Sequence, residues 1–349
     1  MNPFQVFHDN KKFYLKISQH TDDCADELNR RIRNFDSLQE KDAELELYHL
    51  ILKHARHCDL SHCVAQQMEA NLQHLILSFV SPSYPLLVCR LDLVKQDTLN
   101  EGQLILLLDY ACHLWSDPRI YVRRKSMELV QRIIPLLPQV DISLILQYLQ
   151  TLDITFTDLD KILSSEYTEF FHTPMTLDRE CIKRLVQIVL SIISHHPFTF
   201  PRDTTPMDLP IQNLLPLLFE ICCANDDDTV DFMYTVLTIF KGGDTHLLKS
   251  LEITPHRVFL YFLKVCGGTH DILIDFLLDK DSEFLSFFIQ YLKYAVEDGD
   301  VLLDILDEDE RDRLLTVVVN ITLVLEKDAF PYNTAPLLRR LVQLEELLL

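Results

Sequence analysis

One short segment of the chain concentrates side chains that bind transition metals. His54, His57, Cys58, His62 and Cys63 follow one another closely. Helical spacings of three and four place His54, His57 and Cys58 near one another, and imidazole with thiolate suits zinc. The spacing matches no C-x₂-C module joined to H-x₃-H. We therefore predict no resident metal and no cofactor, because the cysteines are explained as small apolar residues beside surface histidines. The five residues remain a zinc candidate as the less favoured alternative.

Motifs for nucleophilic or nucleotide chemistry are not found in the sequence. The chain has 6 glycines, and none forms a G-x-G-x-x-G, G-x-x-x-x-G-K or G-x-S-x-G pattern. Loops that wrap phosphate need residues without a Cβ, so that backbone N–H groups can approach closely. His195 and His196 lie near Asp203 in a proline-rich stretch, which favours exposed loop histidines. We predict no catalytic residue and no enzymatic activity.

The charge balance limits the classes of partner. The chain has 53 acidic and 32 basic residues, giving a net charge of -21. A negative field repels phosphate backbones, so we expect no direct nucleic-acid binding. The acidity either keeps an apolar protein soluble or attracts basic proteins. The 9 cysteines, mostly in apolar helical patterns, indicate reduced thiols in cytosol or nucleus. No stretch is long and apolar enough to predict a membrane span, and we expect no membrane partner.

A basic run stands out against this acidic background. Arg119, Arg123, Arg124 and Lys125 follow closely in sequence. They are a candidate docking patch for an acidic segment of another protein. The alternative is a repeat helix in which an arginine contacts the preceding Asp117.

An aromatic stripe in the last third of the chain is a second candidate for binding. Phe284, Phe287, Phe288, Tyr291 and Tyr294 recur at helical spacing, which is typical of a core face. We keep Phe287, Tyr291 and Tyr294 as candidates to line a groove for a partner helix.

The elements that must position these residues are helices. Apolar residues recur with a period near 3.6 from Glu40 onward, and no stretch shows the alternation of a half-buried strand. Residues 101–137 read as a helix, an Asp117-Pro118 turn and a second helix, which resembles a HEAT-type repeat. No second copy is as clear. We predict an all-α fold, an irregular α-solenoid of HEAT/ARM-like helical pairs.

Helix boundaries and a domain boundary follow from proline, glycine and capping residues. Thr254-Pro255 predicts a helix start and Gly267-Gly268 a helix end. Prolines crowd residues 197–210, which predicts a long connection. We place the boundary there, with an N-terminal HEAT-like region over residues 1–200 and a C-terminal helical region over 201–349.

Three C-terminal motifs resemble a known family. Residues 271–277 read DILIDFL, residues 284–294 read FLSFFIQYLKY, and residues 330–338 read FPYNTAPLL. Together they make residues of about 257–349 similar to the C-terminal domain of the Lines family. The resemblance implies a non-enzymatic regulator, in cytoplasm and nucleus, that modulates transcription in developmental Wnt/Wingless-type signalling.

The resemblance also implies a class of partner and leaves a rival function open. Family members are expected to bind basic zinc-finger transcription factors of the Odd-skipped type, and no catalytic residue is implied. The alternative is a HEAT-like structural subunit of another multiprotein assembly, in transport, repair or chromatin.

Overall fold

In a computed structural model, every regular element of the described part of the chain is helical. The described residues are 3–19, 24–38, 40–58, 63–96, 99–138, 142–152, 178–196, 214–242, 245–279, 282–327 and 330–349. They form 19 α-helices and short 3₁₀ turns without a strand, which confirms the predicted all-α class. Within these ranges no helix is both long and apolar enough to cross a bilayer.

The chain divides into two compact units, Met1–Ile188 (unit 1) and Val189–Leu349 (unit 2). The predicted boundary at residue 200 lies outside the described residues. The first ten helices are α1 Pro3–Ser18, α2 Cys24–Arg33, α3 Lys41–His57, α4 Val64–Gln67, α5 Glu69–Ser78, α6 Tyr84–Lys95, α7 Glu101–His113, α8 Ile120–Ile133, α9 Ile142–Thr151 and α10 Arg179–His195. The other nine are α11 Leu214–Cys222, α12 Asp226–Gly242, α13 His246–Ser250, α14 Pro255–Val265, α15 His270–Leu278, α16 Phe284–Glu297, α17 Gly299–Ile305, α18 Glu308–Leu325 and α19 Ala335–Leu348.

The core of unit 1 is built around α3. This helix packs against α1, α4, α5 and α6, and α6 packs in turn against α8. Leu45, Tyr48, Ile51 and Leu52 are fully buried along α3, as their helical period requires of a face that meets several neighbours.

The predicted helix pair over residues 101–137 is present as α7 and α8, which pack together. Asn100 begins α7 in a capping box with Gln103. Between the helices, Asp117 accepts a hydrogen bond at Oδ1 from the Arg119 N–H, 2.9 Å away, so the Asp117-Pro118 turn is confirmed. Whether further helix pairs repeat this arrangement as a solenoid stays a prediction.

Unit 2 is organised around α16. This helix packs against α12, α15, α17 and α19, while α18 packs against α15 and α19. The buried face of α16 carries Phe284, Phe287, Phe288, Tyr291 and Leu292.

The ends of α14 are those that the sequence predicted. The Thr254 hydroxyl accepts a hydrogen bond from the Arg257 N–H, and Pro255 follows at the first helical position. At the other end, Gly267 and Gly268 have φ of 83° and 68°, and the Gly268 N–H donates to the Leu263 carbonyl at 2.7 Å. Glycine adopts this left-handed conformation without a Cβ penalty, so α14 stops at a defined point.

Candidate protein-binding site

A cleft of about 680 Å³ lies in unit 2, where α11, α14 and α18 border it; we name it the α14–α18 groove. Its apolar lining includes Leu260 and Leu263 from α14 and Leu314 and Val317 from α18. Leu263, Leu314 and Val317 are buried, whereas Leu260 is partly exposed. The groove therefore has a fixed apolar floor with some surface open to solvent.

The rim of the groove carries charges of both signs: Glu252, Arg257, Lys264, Glu310 and Arg313. Glu252 and Arg257 form an ion pair with 3.2 Å between Oε2 and Nη1, and both side chains are about half exposed. An exposed pair of this kind contributes at most about 1 kcal/mol to folding. Glu310 is part of the capping box of α18: its backbone N–H donates to Asp307 Oδ1 at 2.7 Å, and its side-chain Oε2 accepts from the Asp307 N–H at 3.4 Å. The rim is thus locally mixed, unlike the acidic chain as a whole.

The backbone at Glu252 is strained. Its φ is 58°, the one positive value at a non-glycine residue among the described residues. The next residue, Ile253, donates its N–H to the Leu248 carbonyl at 2.8 Å and so closes the end of α13. A side chain in this conformation costs roughly 1–2 kcal/mol. A left-handed residue at this position is the usual way to close a helix end, and the Glu252 side chain lies at the edge of the groove.

The lining of the groove combines apolar and charged side chains. None of the described residues that line the groove is a serine, cysteine or histidine. An apolar floor between charged side chains is the arrangement that receives an amphipathic segment of another protein.

The predicted basic patch is engaged within unit 1. Arg119 donates to Asp117 at 2.8 Å and to the Pro82 carbonyl at 3.1 Å. The hydrogen bonds from Arg119 hold the pKa of the Asp117 carboxyl below its ordinary value. Arg123 is 8% exposed and donates to the Asp117 carbonyl, and Arg124 pairs with Asp178. This is the alternative foreseen for the run, so docking of an acidic segment stays a prediction.

The predicted aromatic candidates do not line the groove. Phe287 and Tyr291 are each 1% exposed, because α16 is surrounded by other helices of unit 2. Tyr291 packs against Phe259 with 4.1 Å between ring centroids. Tyr294 is partly exposed, and its hydroxyl donates to Asp298 at 2.9 Å. Phe287 and Tyr291 thus lie in the core instead of on an open binding surface.

The structure brings together part of the zinc candidate. The potential ligand atoms of His54, Cys58 and Cys63 all lie within 4.8 Å of one another. His57 is on the same helix but is not part of this group, and His62 lies outside the described residues.

A buried histidine network was not foreseen from the sequence. His256 is fully buried in the first turn of α14. Its Nε2 lies 3.4 Å from Asp298 Oδ2, and its Nδ1 lies 3.5 Å from the Tyr291 hydroxyl. Burial lowers the pKa of His256, and Asp298 opposes that shift. The signal in the sequence was that His256 directly follows Pro255, the proline at the start of a predicted helix, and is close to apolar residues.

Comparison with known proteins places one side of the groove, from α13 to α14, in a family region. Residues 229–305 match the family described as Lines N-terminus. The chain is 44% identical over 131 residues to the human Protein Lines homolog 1, covering 33% of this chain and 17% of that protein. It is 24% identical over 187 residues to Protein lines of Drosophila melanogaster, covering 49% and 21%. No solved structure matches the chain.

These matches correct one detail of the predicted resemblance. The family match over residues 229–305 is described as the N-terminus, whereas the motifs had suggested the C-terminal domain from about residue 257. Residues 306–349, which include the FPYN motif, lie beyond that match, so their assignment stays a prediction. The aligned parts span about a fifth of the length of the human and fly relatives. The family match and these relatives agree, so part of this chain is similar to proteins of the Lines family.

Proposed function

We propose that this chain is a non-enzymatic protein-binding regulator of the Lines type, and that the α14–α18 groove holds its partner. One observation carries the proposal: the α13–α14 side of the groove, with Glu252, Arg257, Leu260 and Lys264, lies inside the matched residues 229–305. An apolar floor supplies affinity through buried area, and a rim of both signs selects the partner.

The partner we propose is a basic zinc-finger transcription factor of the Odd-skipped type. The net charge of -21 supports this choice, because opposite net charges speed association. Glu252 and Glu310 would accept basic side chains at the rim. In this proposal the complex forms in cytoplasm and nucleus and modulates transcription in Wnt/Wingless-type signalling.

We also propose that the helices of unit 1 stack as an irregular HEAT-like solenoid that supports binding. The support is the α7–α8 pair, with its Asp117-Pro118 turn and the contact from Arg123 to the Asp117 carbonyl. Such repeats present extended surfaces to other proteins.

Replacement of Leu260 by arginine tests the groove. Leu260 is partly exposed in the floor, so Leu260→Arg adds bulk and positive charge where a basic partner would bind. Leu323→Arg is the matched control, since Leu323 is 51% exposed on α18 and does not line the groove. We expect Leu260→Arg to weaken binding of a recombinant Odd-skipped-type zinc-finger region at least roughly tenfold, or about 1.4 kcal/mol.

The same experiment separates the rival function. Binding is measured by calorimetry on 349-residue chains whose melting temperatures agree. Proteins captured from embryonic extract are identified by mass spectrometry. Equal affinities for Leu260→Arg, Leu323→Arg and the parent chain would remove the groove from the proposal. Recovery of one stoichiometric assembly without transcription factors would favour the structural-subunit alternative.

A further inference from the structure

The end of α3 and the start of α4 bring three potential metal ligands together. His54 lies in the last turn of α3, Cys58 is the residue after that helix, and Cys63 is the residue before α4. Their ligand atoms all lie within 4.8 Å of one another. A tetrahedral zinc ion, with bonds of about 2.0–2.3 Å, holds its ligand atoms roughly 3.5–3.8 Å apart. Small side-chain rotations therefore suffice to reach coordination distance.

The three residues are carried by packed structure. Ile51 and Leu52, in the turn before His54, are fully buried, and Cys63 and Ala65 are also 0% exposed. Helices α3 and α4 pack against each other. A site on elements fixed in the core holds its ligands more accurately than one on a loop.

A side-chain bridge fixes the two helices at this point. The Gln66 amide Nε2 donates to the Ala55 carbonyl at 3.0 Å and to the Cys58 carbonyl at 2.6 Å. Gln66 follows Cys63 by three residues in α4, so this bridge sets the position of Cys63 relative to Cys58. It also satisfies two carbonyl groups at the end of α3 that have no partner within the helix.

We propose that His54, Cys58 and Cys63 form a zinc site that nothing in the proposed function requires. Two thiolates and one imidazole match zinc, whereas calcium and magnesium prefer oxygen ligands. Two thiolate charges also neutralise the divalent ion. Three protein ligands leave the fourth position to water, and the partial exposure of His54 and Cys58 gives water access to it.

The site has a structural role in this proposal. Zinc joins the end of α3 to the start of α4, across the residues that connect them. Because ligands come together only in the folded state, bound metal adds to the stability of unit 1. A disulfide between Cys58 and Cys63 is the competing use of the same two sulfurs, and it is one outcome of the test.

The experiment loads the full chain with zinc under reducing conditions, removes excess metal and measures zinc per chain by elemental mass spectrometry. We expect about one zinc per chain, falling at least roughly tenfold in Cys58→Ser and in His54→Asn. His57→Asn is the matched control for the histidine, and Cys266→Ser for a partly exposed cysteine. Cobalt loading adds a second readout, since thiolate ligands produce an intense charge-transfer band that Cys58→Ser should weaken.

Stability gives an independent measurement if a variant folds poorly. Free zinc should raise the melting temperature of the parent chain and of Cys266→Ser, and should leave that of Cys58→Ser unchanged. Zinc below a tenth of an equivalent in the folded parent chain would overturn the site. A Cys58–Cys63 disulfide in the intact mass of protein purified with reductant, without zinc, would also overturn it.

Discussion

Unit 1 buries formally charged side chains in its core, whereas unit 2 fills its core with aromatic rings around His256. Arg90 and Glu44 are 2% and 4% exposed in unit 1. In unit 2, Phe259, Phe262 and Phe284 are buried to a similar degree. The regular elements of the described residues are helical in both units, so the difference lies in how each core accommodates polar groups.

Arg90 shows why unit 1 retains a buried charge. Its guanidinium donates to the Ile76 carbonyl at 3.1 Å, to the Leu77 carbonyl at 3.3 Å and to the Phe79 carbonyl at 2.5 Å. It also lies 4.0 Å from the centre of the Tyr110 ring. The last carbonyl groups of a helix have no hydrogen-bond donor within that helix. Arg90, which lies on α6, therefore supplies the missing donors at the end of α5.

In unit 2, α14 and α18 have caps formed by residues next to each helix. Thr254 caps α14, Asp307 and Glu310 cap α18, and Gly267-Gly268 closes α14. Local caps also occur in unit 1, where Asn100 and Gln103 begin α7, and Arg311 of unit 2 donates to the Leu348 carbonyl 37 residues away at 2.6 Å. The two units therefore differ in what fills their cores and not in how their helices end. The comparison suggests that a buried, hydrogen-bonded arginine is important for the core of unit 1 and ring packing for the core of unit 2.

The largest expected effect is loss of a ring from unit 2. Phe259 is 2% exposed and packs against Tyr291 and Phe288, with 4.1 and 5.9 Å between ring centroids. Phe259→Ala should lower the free energy of unfolding by about 3–5 kcal/mol, through lost burial and the cavity left behind. Denaturant unfolding measures the change. Phe259→Leu, which keeps most of the volume, should cost much less; equal losses would show that ring packing is not what stabilises this core.

The next effect tests the buried charge of unit 1. Arg90→Ala leaves three carbonyl groups without their donor and removes the contact with Tyr110, so we expect a loss of about 3 kcal/mol. Arg132→Ala, at an exposed position on α8, is the control and should change stability by less than about 0.5 kcal/mol. A loss below 1 kcal/mol for Arg90→Ala would mean that water replaces the guanidinium at the end of α5.

The same contrast explains which features the sequence predicted. The turn at Asp117-Pro118 and the two ends of α14 follow from residues next to each other in sequence, and the structure confirms them. Arg90 bonds to carbonyls 11 to 14 residues earlier, a distance at which packing alone decides the partner. An arginine inside the apolar run LLVCRLDLV was the sole signal.

The candidate sites divide in the same way. Cys58 with His54 and Cys63 was expected as a group because the residues are close in sequence, although His57 does not join them. The α14–α18 groove combines residues from Leu215 to Val317, so no local pattern could indicate it. Phe287 and Tyr291 have the spacing of any helix face, and only the neighbouring helices decide that this face is buried.

Acid should destabilise unit 2 through His256. Because burial lowers its pKa from the ordinary 6.5, the unfolded chain takes up a proton on this residue more readily than the folded chain. Stability is therefore fully present above about pH 6.5 and falls as the pH drops from there through the lowered folded pKa. The groups that face the ring are Asp298, Tyr291 and Tyr294.

His256→Gln should reduce the slope of unfolding free energy against pH in this range. His49 in unit 1 provides the comparison. Burial also lowers its pKa, but its Nδ1 lies 2.6 Å from Asp92 Oδ2 and its side chain is 26% exposed. We therefore expect His49→Gln to change the slope less. A larger change for His49→Gln would place the main acid sensitivity in unit 1.

The smallest expected effects come from one glycine in each unit. Gly102 lies in the first turn of α7, and the nearest atom to an added Cβ is Asn100 Oδ1 at 3.5 Å, an ordinary contact. Gly102→Ala should therefore stabilise the chain by about 0.5 kcal/mol through helix propensity. Gly299 begins α17, and its Cβ would lie 2.8 and 2.9 Å from the two Cδ atoms of Leu347 in α19.

Gly299→Ala gains the same propensity but must displace the end of the Leu347 side chain. We expect the two terms to cancel or to leave a loss of up to about 1 kcal/mol. Both variants are measured by the same denaturant series. If Gly299→Ala stabilises the chain as much as Gly102→Ala, then Leu347 moves aside without cost and α17 and α19 are packed more loosely than the ring-filled centre of unit 2. If it destabilises, close packing extends from the rings to the last helix.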